Sequence, residues 1–279
     1  MVERTVEVRG VETWLRIKPG RGTPIVFWHG NPTDADDWLP FMEAASAPCF
    51  AADMPAFGRT AAPPDGDFDY TMDSYGDWAA GLIDALELER YSTVVHDWGS
   101  IGLLAALRRP DRVERLVAFN IVPFGVDYEW HPIARWLWRP RGVGEALNAA
   151  SGKRLQGLVM RQARPGFKAM PSEFLERVGR NFARASMRAA VLALYRSADP
   201  AALEAAGEGL PRLEAPALLL WAQRDPYIGA LFGRRLAEIL PRAELVEIEG
   251  AGHWSWLDRP DLIETALAFL EGGPSSADV

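Results

Sequence analysis

The stretch Val94-Val95-His96-Asp97-Trp98-Gly99 decides the fold. A β-branched run from Ser92 to His96 stops at an aspartate, and a helical pattern begins at about Ser100 and continues to Arg109. A strand that turns sharply into a helix leaves one residue projecting alone above the sheet. Here that residue is Asp97, with Gly99 two places on to let the chain turn. The serine form of this turn, G-x-S-x-G, is absent. A carboxylate at the tip changes the chemistry, because it is already ionised at neutral pH and attacks an sp³ carbon without a base to deprotonate it. The product is an alkyl ester on Asp97, which water must then split.

Outward from the elbow, strand and helix patterns alternate. Residues 4–18 read as two short strands around Gly10, and Pro24 to Trp28 as a buried strand ending at His29-Gly30. Further strands are predicted over Cys49 to Met54, Val113 to Asn120, Pro216 to Trp221 and Ala243 to Ile248. Helices are predicted over 71–88, with Thr71 or Asp73 as the N-cap, and near 229–240 and 260–271. This alternation predicts an α/β fold, a mostly parallel sheet covered on both faces. One stretch breaks it: from about 124 to 212 the chain is helical in period, with no strand candidate. It reads as an inserted helical cap (124–212) over a core made of 1–123 and 213–279, seated where ligands bind open parallel sheets. The segment 272–276 reads as a frayed tail.

Composition narrows the function. Of 279 residues, 48% are apolar and 24% charged, which is ordinary for a globular protein. A net charge of −8 leaves no basic face for phosphates, so no nucleic-acid partner is expected. The densest basic stretch, Arg135 to Arg141 with Trp136 and Trp138, reads as an amphipathic helix face. No signal-peptide pattern or spanning apolar run is seen, and Cys49 is the single cysteine, so a cytoplasmic location without membrane contact is expected. The four histidines, His29, His96, His131 and His253, lack metal-ligand spacing. No cofactor and no metal are expected; the partners are a small apolar substrate and water.

The base that ester hydrolysis needs is at hand. His253 follows the last strand in Glu249-Gly250-Ala251-Gly252-His253-Trp254, a glycine-flanked loop able to aim an imidazole. Asp225 follows the preceding strand and is placed to hold that ring in one tautomer. Each residue alone is weak evidence, since an aspartate after a strand is commonly a turn residue. Three of them in the order nucleophile, acid, histidine, each at a strand end, carry the case. The oxyanion site is expected from the turn His29-Gly30-Asn31-Pro32-Thr33 and the Trp98 backbone N–H.

The loop His29-Gly30-Asn31-Pro32-Thr33 with Trp38, the elbow His96-Asp97-Trp98-Gly99 and the turn Asp53-Met54-Pro55-Ala56-Phe57-Gly58 together resemble the haloalkane dehalogenases, with epoxide hydrolases as near relatives. The resemblance spans about 20–125 and 212–271, is weak in the cap, and implies an α/β-hydrolase fold. In that family the halide is held by a Trp after the nucleophile and by an Asn or Trp elsewhere. Trp98 and Asn31 match, and both carry N–H donors that stabilise a departing halide without protonating it. One subgroup takes its acid from a Glu after the strand ending near Asn120. Phe119-Asn120-Ile121-Val122-Pro123 holds no carboxylate, which leaves Asp225 as the acid. The fold's usual Gly two residues before the nucleophile is Val95 here.

A rival reading rests on Tyr195. The segment Ala193-Leu194-Tyr195-Arg196, ending a helix expected over Met187 to Arg196, resembles the cap tyrosine segment of epoxide hydrolases. An epoxide opens to a basic alkoxide that needs a proton donor, and a lid phenol supplies it. Such enzymes commonly use two tyrosines, and Tyr128 is the other candidate. Against this, epoxide hydrolases tend to carry an aromatic residue where Asn31 stands. A serine esterase is disfavoured because Ser100 lies too late. A non-catalytic binding protein of this fold is disfavoured because all three catalytic residues are present. Gly142-Val143-Gly144 and Gly250-Ala251-Gly252 lack the third glycine of a dinucleotide site. The cap residues Trp130, Trp136, Trp138, Phe167, Phe174, Phe182, Met160, Met170 and Met187 are expected mostly to pack, with some lining an apolar pocket that strips water from Asp97.

Overall fold

The computed structural model describes residues 1–64, 67–150, 157 and 160–272, so the expected tail lies outside the described residues beyond Gly272. Strands β1 (Val2–Val8) and β2 (Val11–Lys18) form an antiparallel hairpin. Its turn, Arg9-Gly10, holds φ of 52° and 82°, the pair of left-handed residues a two-residue hairpin turn requires. β2 pairs antiparallel with β4 (Cys49–Ala52). Every later pairing is parallel, through β3 (Ile25–Trp28), β5 (Tyr91–Asp97), β6 (Val113–Ile121), β7 (Ala217–Ala222) and β8 (Ala243–Ile248). The sheet order is β1-β2-β4-β3-β5-β6-β7-β8. β3, β5 and β7 are buried along their whole length, which is why they read as unbroken apolar runs and not as alternation.

In chain order, α1 (Leu39–Ala44), α2 (Met72–Ala85) and α3 (Ile101–Arg108) precede the cap. Thr71, not Asp73, caps α2, its hydroxyl accepting the Ser74 N–H at 3.2 Å. Between β6 and β7 the cap contributes α4 (Val143–Ala150), α5 (Ser172–Ala183), α6 (Ala185–Ser197) and α7 (Pro200–Ala206), and no strand occurs there among the described residues. After β7 come α8 (Ala230–Ile239), then α9 (Ser255–Asp258) and α10 (Asp261–Leu270) beyond β8.

The basic stretch Arg135 to Arg141 differs from its expected form. Only a single π-helical turn, Ala134–Trp138, forms, with Trp136 turned 62% to solvent. Arg139 instead folds inward, donating to the carbonyls of Tyr195 and Ala198, so it closes the C-terminal end of α6.

Ionic and hydrogen-bonded clamps fasten cap to core. Arg177 on α5 bridges Asp34 at 2.8 Å and Asp37 at 2.6 Å. One turn on, Asn181 donates from Nδ2 to the carbonyls of Pro32 and Thr33. Arg164 reaches Asp258 at 2.8 Å, and the Ala163 carbonyl accepts the His253 N–H at 2.8 Å. The cap therefore grips the two loops that carry Asn31 and His253. No helix among the described residues is long and apolar enough to cross a membrane.

Candidate active site

Asp97 sits at the end of β5 with φ 51° and ψ −124°, a conformation costing a non-glycine residue about 1–3 kcal/mol. The surroundings hold it there. A Cβ on Gly99 would lie 2.1 Å from the Trp28 carbonyl oxygen, and one on Gly30 would lie 2.4 Å from the Asp97 Cβ. Both glycines are thus required by close approach, and the elbow is locked against the loop after β3. Val95, where glycine is usual, is fully buried in register between Trp28 and Ala118 without disturbing the turn.

The three residues expected to act together do meet. His253 Nδ1 lies 2.7 Å from Asp225 Oδ2, and His253 Nε2 lies 3.5 Å from Asp97 Oδ2. Asp225 is fixed in turn, its Oδ1 accepting the Tyr227 N–H at 2.7 Å and the Ile228 N–H at 3.1 Å. The Asn31 N–H reaches Asp97 Oδ1 at 2.7 Å, and the Trp98 N–H lies close enough to help hold the carboxylate pKa down. An acyl carbonyl formed on Asp97 would face these same donors as it became an oxyanion.

The charges follow from the packing. Burial alone would raise the Asp97 carboxyl, but the His253 hydrogen bond and charge and the Trp98 N–H more than offset it, holding the pKa below the ordinary value. Burial alone would lower His253; Asp225 and then Asp97 pull it well above the imidazole range. The electrostatics therefore favour the protonated imidazole at rest. His96, driven down to about 3 by burial and by His253, stays neutral and donates from Nε2 to the His253 carbonyl, 3.0 Å away.

Above Asp97 lies a cavity of about 170 Å³. Its walls include Trp130, Trp138, Phe182 and Met160 from the cap, while Phe174 packs on Trp254 at 4.9 Å and Met170 and Met187 are buried. Trp136 and Phe167 face solvent. Asp97 is 4% exposed, in keeping with a water-poor pocket. The Trp98 indole N–H and the side-chain oxygen of Asn31, which lines the cavity, are buried and make no hydrogen bond of good geometry among the described residues, although the Tyr195 hydroxyl is near enough to feel both side chains. An unpaired buried N–H costs free energy unless a ligand satisfies it.

Tyr195 also reaches this point. Its ring meets the Trp98 indole edge-on at 5.1 Å. Burial and the Asp97 charge raise its phenol pKa, while the neighbouring Trp98 and Asn31 side chains counter that rise. Tyr128 lines the cavity too, but its hydroxyl lies 3.3 Å from the Tyr227 carbonyl and donates there. No cluster of metal-ligating side chains occurs among the described residues.

Sequence reasoning overlooked one brace. Asn120, noticed only for lacking a carboxylate, accepts the Ala222 N–H at 2.8 Å and donates to the carbonyls of Ala222 and Ile228. It ties the end of β6 to the loop that carries Asp225. Its φ of 33° at a strand end is the one local sign, and it is invisible in the sequence.

A family model described as alpha/beta hydrolase fold matches residues 23–260. A haloalkane dehalogenase of Mycolicibacterium paratuberculosis is 30% identical over 274 residues, covering 91% of this chain and 85% of the relative. The chain belongs to the α/β hydrolases, in their haloalkane dehalogenase branch. A second relative of this hydrolase, a cis-3-alkyl-4-alkyloxetan-2-one decarboxylase of Shewanella oneidensis, is 29% identical over 268 residues, 90% of this chain and 82% of the relative. Among solved structures, haloalkane dehalogenase DbeA of Bradyrhizobium elkani shares the fold with a TM-score of 0.81 at 24% identity, covering 97% of this hydrolase and 98% of DbeA.

Proposed function

We propose that this hydrolase removes halide from small haloalkanes through an alkyl ester on Asp97. The observation that carries the reading is the buried Trp98 Nε1, next in sequence to Asp97 and with no hydrogen bond of good geometry among the described residues, together with the Asn31 side chain that lines the cavity. Asp97 attacks carbon, the carbon–halogen bond breaks, and the halide departs against the Trp98 and Asn31 donors. His253, oriented by Asp225, then takes a proton from water, whose oxygen attacks the ester carbonyl. The backbone N–H groups of Asn31 and Trp98 receive the oxyanion, and its collapse frees the alcohol and Asp97.

A second reading, cleavage of a strained C–O ring, is supported by Tyr195, whose phenol is close to the same donors. An epoxide would take its proton from Tyr195; an oxetan-2-one, the ring in the name of one relative, would leave as a carboxylate and need no proton. One panel separates the readings: 1-bromoalkanes, styrene oxide and a dialkyl oxetan-2-one, with halide, diol and CO₂ measured. Halide release that survives Tyr195→Phe and is lost in Asn31→Ala supports the first reading. Diol release abolished by Tyr195→Phe, without halide release, overturns it. Mass spectrometry of His253→Phe tests the shared step, since the alkyl ester on Asp97 must accumulate in that variant.

A further inference from the structure

The cavity has a second polar point, beside His253. The Tyr227 ring stands edge-on to His253 at 5.0 Å, and His131 lies against Tyr227 at 5.1 Å. Both line the cavity, whose other cap walls here are Ile133, Leu137 and Met160. The proton inventory of the pair is fixed by their neighbours. His131 Nδ1 accepts the Ala134 N–H at 3.4 Å, which puts the ring proton on Nε2. The Tyr227 hydroxyl oxygen accepts a hydrogen bond from Gln162 Nε2 at 3.1 Å, leaving its own proton to donate. Neither proton has an acceptor among the described residues.

We infer that His131 and Tyr227 form a subsite for a neutral acceptor oxygen of the substrate (carbonyl, ether or hydroxyl) remote from the carbon that Asp97 attacks. One N–H donor and one O–H donor on an otherwise largely apolar cavity wall select such an oxygen over a methylene, because an apolar group there offers neither donor an acceptor. A carboxylate is disfavoured: no lysine or arginine is among the described lining residues, and the charges of Asp97 and Asp225 are felt at His131. Burial holds the His131 ring at a pKa of about 4, so it stays a neutral donor in the working range. Tyr128, by donating to the Tyr227 carbonyl, anchors the segment that carries the phenol.

The identity of the reacting group rests on the dehalogenase reading, but the subsite is testable apart from it. In the turnover arm, kcat/KM is compared for 6-bromohexan-2-one and 1-bromohexane with the unaltered protein, Tyr227→Phe and His131→Phe. The ketone-to-alkane ratio is expected to fall about tenfold in each variant, the loss of one neutral hydrogen bond. In the binding arm, which needs no turnover, quenching of tryptophan fluorescence gives dissociation constants for cyclohexanone and its carbon isostere methylenecyclohexane. The unaltered protein should prefer the ketone, and each variant should lose that preference. Absence of halide release from both bromides sinks the proposed reaction and leaves the binding arm to judge the subsite. A protein with no preference for cyclohexanone, or a preference surviving both substitutions, overturns the inference.

Discussion

Replacing Asp97 by Asn should lower the pKa of His253 by several units, and the size of that drop tests how the site turns an acid into a base. His253 rests between Asp225 at 2.7 Å and Asp97 at 3.5 Å, and this setting raises its pKa and favours the protonated ring. A protonated imidazole cannot deprotonate water. In the proposed reaction, alkylation resolves this, because an ester of Asp97 would carry no charge. At 3.5 Å and an effective dielectric of about 20, losing one unit charge removes about 5 kcal/mol of attraction, or 3 to 4 pKa units. The imidazolium then loses its proton as the halide leaves, and the neutral ring is ready for water. Asp97→Asn reproduces the charge of the ester without the alkyl group. Titration of His253 by ¹⁵N NMR in both proteins reads the effect directly. The sign for catalysis follows: alkylation fails as pH falls through the depressed Asp97 pKa, whereas ester hydrolysis rises with pH through the lowered His253 pKa. A shift of less than about 1 unit in Asp97→Asn would refute this account, because the Coulomb term would then be too small to switch the ring.

Three further outcomes follow from the geometry. In a stopped-flow experiment with a pH indicator, proton release should keep pace with the halide burst and precede alcohol formation; protons appearing only with alcohol would contradict a resting imidazolium. Gly30→Ala, whose Cβ would fall 2.4 Å from the Asp97 Cβ, should displace the nucleophile and cost about a hundredfold in kcat/KM, with a folded protein by circular dichroism. Arg177→Met strands the buried carboxylates Asp34 and Asp37 and should lower the unfolding free energy by about 3–5 kcal/mol in urea titrations; a loss below 1 kcal/mol would show that this ion-pair clamp adds little to the stability.

What the sequence revealed, and what it hid, divides by the range of the interactions concerned. The elbow was legible because a buried β-branched run ending in a charge and a close glycine leaves few other meanings, and Gly99 and Gly30 prove to be demanded by contacts under 3 Å. His253 and Asp225 were legible for the same reason, each standing one turn beyond a strand whose apolar run is unmistakable. Arg177 was not. An arginine on an amphipathic helix reads as a solvated charge, and only docking onto a loop 140 residues away makes it a clamp. Asn120 looked like an absent acid, and it became a brace because β7 ends beside β6, a fact of sheet order and not of local pattern. Tyr195 is the sharpest case. Its spacing on α6 fits a packing residue, yet Trp98 from the elbow and Asn31 from the loop after β3 both come near its phenol. No single segment encodes that meeting. In the proposed reaction, leaving-group preference depends on where three distant segments converge, so it is the property a linear reading is least able to extract, whereas the proposed nucleophile stands within six consecutive residues.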